Sequence, residues 1–280
     1  MGSGGSFLVE EFEMSRHQRR FGQRVIHLPE CDSTQIQLGV LLEQGAGDGT
    51  LVIADQQTRG KGRQGRFWLS HSGALQFSLA VKLSMPLEKA PRITLLTGVA
   101  LFEALASKDA PLWLKWPNDI LVAAKTPGPL GLFRKAGGIL VELSSSARGL
   151  EHARIGIGLN LSVPEAGFPE EMKHVAGALS ETTANRGKVI LMGQILDAME
   201  HWMEGTSSDA LFSRALEILR DNSSVLGQPV QVPSEGLEGI AVDFDHDGAL
   251  LVEQSDGRLV RVIAGDVWPS APGGSLSEKV

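Results

Sequence analysis

Alternation of apolar and polar residues is clearest in ALQFSLAVKL, residues 74–83. Apolar side chains take every second position there, and the residues between them are Gln76, Ser78, Ala80 and Lys82. Because neighbouring side chains of a strand point to opposite faces, this pattern predicts a half-buried β-strand. Apolar runs predict further strands at 50–55, at 111–122 (two strands joined at Pro117-Asn118), at 137–143 and at 153–161. The prolines and glycines of 123–136 predict a loop.

A different spacing, with apolar residues three and four positions apart, predicts four amphipathic helices. They cover residues 34–43, 91–105, 189–203 and 208–220. Ser33 or Asp32 is suited to cap the first helix, and Pro91 lies near the start of the second.

The pattern changes after residue 222. Short apolar runs at close spacing, with turns such as Asp247-Gly248 and Asp256-Gly257, predict a small all-β unit of the size of an SH3-like barrel. We therefore expect an α+β fold in four parts. These are a flexible leader at 1–24, a large domain at 25–222, a β-barrel at 223–270 and a tail at 271–280.

Charge and composition exclude several classes of function. The chain has 280 residues and a formal net charge of -7, which argues against general affinity for nucleic acids or membranes. Its single cysteine, Cys31, excludes an internal disulfide and fits a reducing compartment such as the cytoplasm. No run of 18 apolar residues occurs, so we expect no transmembrane helix.

A basic, glycine-rich stretch stands out against this acidic background. In RGKGRQGR, residues 59–66, three glycines alternate with four cations and no acid. The G-x-G-x-x-G spacing resembles a dinucleotide-binding turn, but a strand follows the third glycine where that turn needs a helix. A kinase loop and a Walker A loop lack their partner motifs. Backbone N–H groups and cations together predict an anion-binding loop, with a solvated basic turn as the alternative.

Three shorter motifs add candidates. In RIGIGLN, Gly156 and Gly158 share one face of a strand, which suggests a ligand lying flat on it, with a β-bulge or a close strand crossing as the alternative. KWPND contains Lys115 and Asp119 on either side of a tight turn, and it is equally typical of a simple turn with a charge pair. In RKAGGILVEL, Lys135 precedes a glycine pair and a strand.

Taken in order, the glycine–arginine loop, KWPND, KAGGILVE and GIGLN resemble a biotin–protein ligase, as does DST at residues 32–34. The resemblance runs from about residue 25 to 268. It implies a mixed β-sheet of the biotin/lipoate ligase type with helices on one face, followed by an SH3-like barrel. It also implies a reaction: biotin and Mg-ATP form biotinyl-5′-AMP, and biotin then passes to one lysine of a carrier domain of a biotin-dependent carboxylase.

The resemblance assigns expected roles to residues. Lys135 would bridge the biotin carboxylate and the α-phosphate, and Asp119 would orient or deprotonate the incoming lysine. The expected catalytic residues are Lys135, Arg63, Arg66 and Asp119. Expected biotin contacts are Ser33, Thr34, Gln35, Gln57, Gly60, Lys61, Gly62, Arg63, Trp68, Lys135, Gly156 and Gly158. Expected ATP contacts are Arg63, Arg66, Lys115, Asn118 and Asn160, and no protein metal site is expected.

Two departures from the family pattern matter. Lys61 stands where arginine is usual, and the insertion TPGPLGLF before Lys135 is long. Only about 24 residues precede the match, too few for a helix-turn-helix domain, so we expect no DNA binding; a homodimer is compatible with the sequence. The alternatives are a lipoate or octanoate ligase or transferase, for which Cys31 is a poor nucleophile candidate, and a non-catalytic biotin sensor.

Overall fold

The computed structural model describes residues 9–16, 19–107, 111–146, 149–179 and 187–270. Helices and strands follow one another along the chain up to residue 221. In chain order they are α1 (Val9–Ser15), β1 (Arg24–Cys31), α2 (Thr34–Glu43), β2 (Thr50–Gln57), β3 (Ala74–Met85), α3 (Pro91–Leu105), β4 (Leu112–Lys115), β5 (Asp119–Gly128), β6 (Gly131–Ser146), β7 (Gly149–Asn160), α4 (Lys188–Met203) and α5 (Asp209–Asp221). All four predicted helices are confirmed.

Seven strands form one mixed sheet in the order β1-β2-β3-β7-β6-β5-β4. Only β1 and β2 are parallel; the other neighbours are antiparallel. Helices α3, α4 and α5 cover one face, and α2 packs on β2, β3 and β7 across a separate small core of Leu38, Val52 and Ala80. The predicted mixed sheet is confirmed.

Strand β3 differs from its prediction as a half-buried strand. Phe77 and Leu79 are buried on one face, and Ser78 and Ala80 are fully buried on the other. The polar face is covered because α2 lies across it, and alternation alone does not reveal a covering helix.

The predicted loop at 123–136 is wrong. Strands β5 and β6 continue through it and meet in a hairpin, with Gly128 opposite Gly131. The register shifts between Ala123 and Gly128, so Pro127 lies in an irregular part of the pairing, where a missing N–H is tolerated; Pro129 lies in the turn. The rings of Trp113 on β4 and Phe133 on β6 pack 5.0 Å apart across β5.

The predicted flexible leader is wrong for the part of it that the structure describes. Helix α1 buries Phe12 completely, and Arg16 is 3% exposed, donating to Glu200 of α4 at 2.7 Å and pairing with Asp197. Residues 9–16 therefore belong to the folded domain, since a buried ion pair fixes them to α4. Residues 1–8 and the predicted tail at 271–280 lie outside the described residues.

The predicted all-β unit is confirmed as a five-stranded antiparallel sheet. Its strands are β8 (Pro229–Val232), β9 (Leu237–Phe244), β10 (Leu250–Glu253), β11 (Leu259–Val262) and β12 (Trp268–Pro269). Gly248 and Gly257 have the positive φ that their predicted turns require. The unit docks beside KWPND, where Trp116 Nε1 donates to the Gly248 carbonyl at 2.9 Å. No described helix is long and apolar enough to cross a bilayer.

Candidate active site

An open cavity lies between the start of α2, the glycine-rich loop and the glycine faces of β6 and β7. Most of the predicted ligand contacts line it: Ser33, Thr34, Gln35, Gln57, Lys61, Gly62, Arg63, Trp68, Asn118, Lys135, Gly156 and Gly158. Sequence reasoning missed five further lining residues: Phe77, Gly138, Ile139, Leu140 and Ile157. Phe77 and Ile157 belong to the apolar faces of β3 and β7, which their alternation assigns to the core. Gly138, like Gly156, is a glycine on a strand that borders the cavity.

The end of the cavity near the start of α2 is lined by polar side chains that hydrogen bonds hold in place. The Gln57 amide oxygen accepts from the Thr34 backbone N–H at 2.8 Å, and the Thr34 hydroxyl lies 2.8 Å from that of Ser78. The Gln57 amide nitrogen donates to Gln76 at 3.1 Å. Ser33 occupies the N-cap position of α2, but its side chain makes no capping hydrogen bond. The supporting role of Gln76 and Ser78 was hidden because their alternation indicated a solvent-facing side.

The two glycines of RIGIGLN make room for neighbouring side chains. A Cβ on Gly158 would lie 2.5 Å from the Trp68 indole, and one on Gly156 would lie 3.0 Å from Gln35. The β-bulge alternative is wrong, because β7 pairs through Gly156 and Gly158 with both neighbours without a register shift. The glycines therefore let Trp68 and Gln35 lie against the strand. Trp68 Nε1 is buried and makes no hydrogen bond within the described residues.

A compact charge cluster forms the other end. Asp119 is paired with Lys135 Nζ at 2.7 Å and with Lys115 Nζ at 3.3 Å. Burial raises the pKa of the Asp119 carboxyl, but the ammonium groups of Lys135 and Lys115 outweigh burial and lower it to about 2. Asp119 is therefore ionised at neutral pH and is a weak proton acceptor. Lys135 lines the cavity, whereas Asp119 and Lys115 lie behind it.

The insertion before Lys135 does not displace it. The Lys135 backbone N–H donates to Val175 at 2.7 Å, and its carbonyl accepts from Gly177 at 2.8 Å. With β5 on its other side, Lys135 is held in a three-strand arrangement. The inserted residues extend the hairpin away from this point.

The glycine-rich loop is a tight hairpin that carries its arginines in different directions. The Gly62 N–H donates to the Arg66 carbonyl at 2.7 Å, and Gln64 and Gly65 both have positive φ. Arg63 donates to the Asn118 amide oxygen at 2.8 Å and lines the cavity. Arg66 instead pairs with Asp266 of the β-unit. The structure brings Arg63 into the cavity lining and leaves Arg66 outside it.

Besides Arg66 and Asp119, three predicted residues lie outside the cavity lining. The Gly60 backbone packs on Trp68, where a Cβ would come within 2.7 Å of the Trp68 carbonyl. The Asn160 amide donates to the Gly177 carbonyl at 3.0 Å and faces His71 Nε2 at 3.2 Å. Lys115 is only 5% exposed, beside the Trp268 ring. The sequence did not predict the contact of His71 with Asn160, because a single histidine in a turn is common and does not indicate a functional site.

Cys31 is a poor nucleophile. Burial, followed by the neighbouring carboxylates of Asp32 and Glu30, raises the pKa of its thiol to about 11. A thiol with that pKa carries almost no thiolate at neutral pH. Cys31 is also not among the residues that line the cavity. The structure therefore disfavours a cysteine acyl transferase.

Comparison with known proteins gives two family matches. Residues 28–160 match the biotin/lipoate A/B protein ligase family, and residues 225–268 match the biotin protein ligase C-terminal domain. The first match spans the strands and loop that form the cavity. The second covers most of the β-unit.

Individual relatives extend the similarity over nearly the whole chain. The bifunctional ligase/repressor BirA of Bacillus spizizenii is 31% identical over 94% of this chain and 79% of its own length. A biotin–[acetyl-CoA-carboxylase] ligase of Mycobacterium tuberculosis is 29% identical over 79% of each chain. Among solved structures, a biotin protein ligase from Aquifex aeolicus in complex with biotin and ATP superposes with a TM-score of 0.71, 28% identity and coverage of 88% and 97%.

Proposed function

This chain belongs to the biotin protein ligase family, and on that premise we propose that it makes biotinyl-5′-AMP from biotin and ATP and then biotinylates a carrier domain. The acceptor is one lysine of a biotin carboxyl carrier domain of a biotin-dependent carboxylase. Mg²⁺ enters with ATP as its counterion. Relatives whose names state this activity and a relative solved with biotin and ATP support the proposal.

The observation that carries the proposal is the polarity of the cavity. At one end, Thr34 and Gln57 form a fixed hydrogen-bonding group suited to a ureido ring. At the other, Lys135 and Arg63 supply positive charge where a carboxylate and a phosphate would meet. Trp68 and Phe77 supply apolar wall between the two ends.

In the first half-reaction, a biotin carboxylate oxygen attacks the α-phosphorus of ATP and pyrophosphate leaves. Both reactants are anions, so the barrier includes their repulsion. Lys135 neutralises both, and Arg63 binds phosphate oxygens through its forked donors. Asp119 holds Lys135 in place by their 2.7 Å ion pair.

In the second half-reaction, the neutral amine of the carrier lysine attacks the carbonyl carbon of the anhydride and AMP leaves. The amine loses one proton as the amide forms, and the phosphate of the departing AMP or water accepts it. Because Lys135 and Lys115 lower the pKa of Asp119 to about 2, we assign Asp119 to orienting the amine and Lys135 rather than to storing a proton. This refines the role expected from the sequence.

Transfer to a carrier tests the proposal. The purified chain, ATP, Mg²⁺ and biotin are incubated with a biotin carboxyl carrier domain, and the product is analysed by intact-mass and peptide mass spectrometry. We expect one added biotinyl group on one lysine, and none when that lysine is replaced by arginine. A protein that binds biotin but transfers none to any carrier domain would be a sensor, and the proposal would fail.

A further inference from the structure

The last strand of the β-unit reaches the catalytic domain with two side chains. Val267 is fully buried, and its two neighbours, Asp266 and Trp268, both contact the catalytic domain. Asp266 pairs with Arg66 of the glycine-rich loop. Trp268 lies beside Lys115 of KWPND, with Lys115 Nζ 5.4 Å from the ring centroid.

Lys115 needs such a neighbour, because its charge is buried and only partly compensated. Its side chain is 5% exposed, and the carboxylate beside it is shared. Asp119 lies 2.7 Å from Lys135 and 3.3 Å from Lys115, so two ammonium groups share one carboxylate. An isolated buried ammonium is costly. A ring face within about 6 Å attracts a cation and offsets part of that cost.

An aromatic ring differs from a second carboxylate in one important way. Asp266 neutralises Arg66, whereas the uncharged ring of Trp268 stabilises the Lys115 ammonium and leaves its net charge in place. A cation that keeps its net charge still attracts phosphate. Trp268 therefore stabilises Lys115 without reducing its attraction for an anion.

We propose that Trp268 is a positioning residue of the adenylation step: its ring holds the Lys115 ammonium beside Asp119, behind the Lys135 end of the cavity where we place the ATP phosphates. This inference rests on the proposed function and adds a residue of the β-unit to its machinery. It gives the β-unit a part in the first half-reaction through a contact that neither the glycine-rich loop nor KWPND contains.

The test is a double-mutant cycle on biotin-dependent pyrophosphate release. Trp268→Leu should lower kcat/KM for ATP about ten-fold, and Trp268→Phe, which keeps a ring, should lose clearly less. In a Lys115→Met background, where no cation remains, Trp268→Leu should have no further effect. Trp113→Leu is the matched control, since Trp113 is half-buried on the same strand as Lys115 but packs on Phe133. We expect Trp113→Leu to retain wild-type kcat/KM.

Binding provides a readout that needs no turnover. The same proteins are titrated, with saturating biotin, with an ATP analogue that has a methylene group between its α- and β-phosphorus atoms. Coupling between positions 268 and 115 in this affinity is the expected result. Equal losses from Trp268→Leu with and without Lys115, or equal losses in the Phe and Leu variants, would show that Trp268 acts only through packing.

Failure of this inference is distinguishable from failure of the proposed function. If the wild-type protein releases pyrophosphate with biotin while positions 268 and 115 are uncoupled, only the inference is overturned. If Trp268→Leu does not fold, Trp268→Phe and its combination with Lys115→Met give the same comparison. The midpoint of thermal unfolding of each variant identifies that case.

Discussion

At the scale of single residues, the charge cluster at Asp119 keeps two lysine ammonium groups fixed near the cavity, where anionic substrates would bind. Burial by itself would favour a neutral carboxyl, but two lysines hold Asp119 ionised, with a pKa of about 2. The carboxylate in turn fixes Lys135, which reaches the cavity. We infer that Asp119 contributes mainly by holding cations in place.

Replacing Lys135 tests this arrangement. Lys135→Ala should reduce the rate of adenylate formation by about 10²–10³-fold, since removing one preorganised electrostatic donor has that effect in comparable sites. The rate is measured as single-turnover pyrophosphate release. Lys125→Ala is the control, because Lys125 is an exposed lysine on the same hairpin. Near-normal adenylation by a folded Lys135→Ala protein would move the essential cation elsewhere, with Lys115 the next candidate.

Most residues that line the cavity could be predicted from the sequence. The residues that hold them in place, or that pair with the glycine-rich loop, could not. Ser33, Thr34, Gln57 and Lys135 line the cavity as expected. Arg66 pairs with Asp266, which lies 200 positions away along the chain, and the spacing of residues within a single segment cannot predict such a contact. Gln76 and Ser78 looked solvent-exposed because a covering helix leaves no trace in the alternation of the strand beneath it.

At the scale of elements, the glycine-rich loop is the segment that we expect to retain the bound intermediate. It is tethered at both arginines, with Arg63 bound to Asn118 at 2.8 Å and Arg66 to Asp266. Only the Arg63 tether borders the cavity. We therefore expect Arg63 to retain the bound anhydride, while Arg66 ties the loop to the β-unit.

Arg63→Gly should release the intermediate. The substitution removes a forked phosphate contact and adds a flexible position, so adenylate still forms through Lys135 but leaves the site sooner. Two measurements check this: the dissociation rate of biotinyl-5′-AMP, and biotin incorporated into an added non-carrier protein. Arg59→Gly is the control, because Arg59 is exposed on the same loop. If Arg63→Gly released adenylate no faster than wild type and labelled only the carrier, the loop would not be the retaining element.

Helix α1 was missed because it is short, and a seven-residue segment next to a glycine-rich stretch gives little periodicity to read. Its stability comes from tertiary contacts, chiefly the burial of Phe12 and the pairing of Arg16 with Glu200. The hairpin at β5–β6 was missed for the opposite reason, since its prolines and glycines gave a strong but misleading turn signal.

Phe12→Ala tests whether α1 is part of the folded domain. Deleting a fully buried ring should lower the free energy of unfolding by about 3–5 kcal/mol, measured by urea denaturation. Met14→Ala on the same helix is the control, since Met14 is 73% exposed and should change stability little. A Phe12→Ala protein with wild-type stability would mean that residues 9–16 behave as the loose leader that the sequence suggested.

At the scale of the whole molecule, two folded units meet at KWPND. The Gly248 carbonyl of the β-unit accepts a hydrogen bond from the Trp116 indole N–H. Trp268, on the last strand of the β-unit, contacts Lys115. The sequence predicted both units and their order, because each has its own periodicity. It did not predict their interface, which joins polar and aromatic residues that no single pattern groups together.

The identity of the acid is the most direct test of the account. Pyrophosphate release is measured with ATP and, in separate reactions, biotin, lipoate and octanoate. We predict turnover with biotin that exceeds turnover with either fatty acid by orders of magnitude, because a fatty chain offers no hydrogen bonds to the polar groups that Thr34 and Gln57 hold at that end of the cavity. Equal turnover with octanoate would contradict the account.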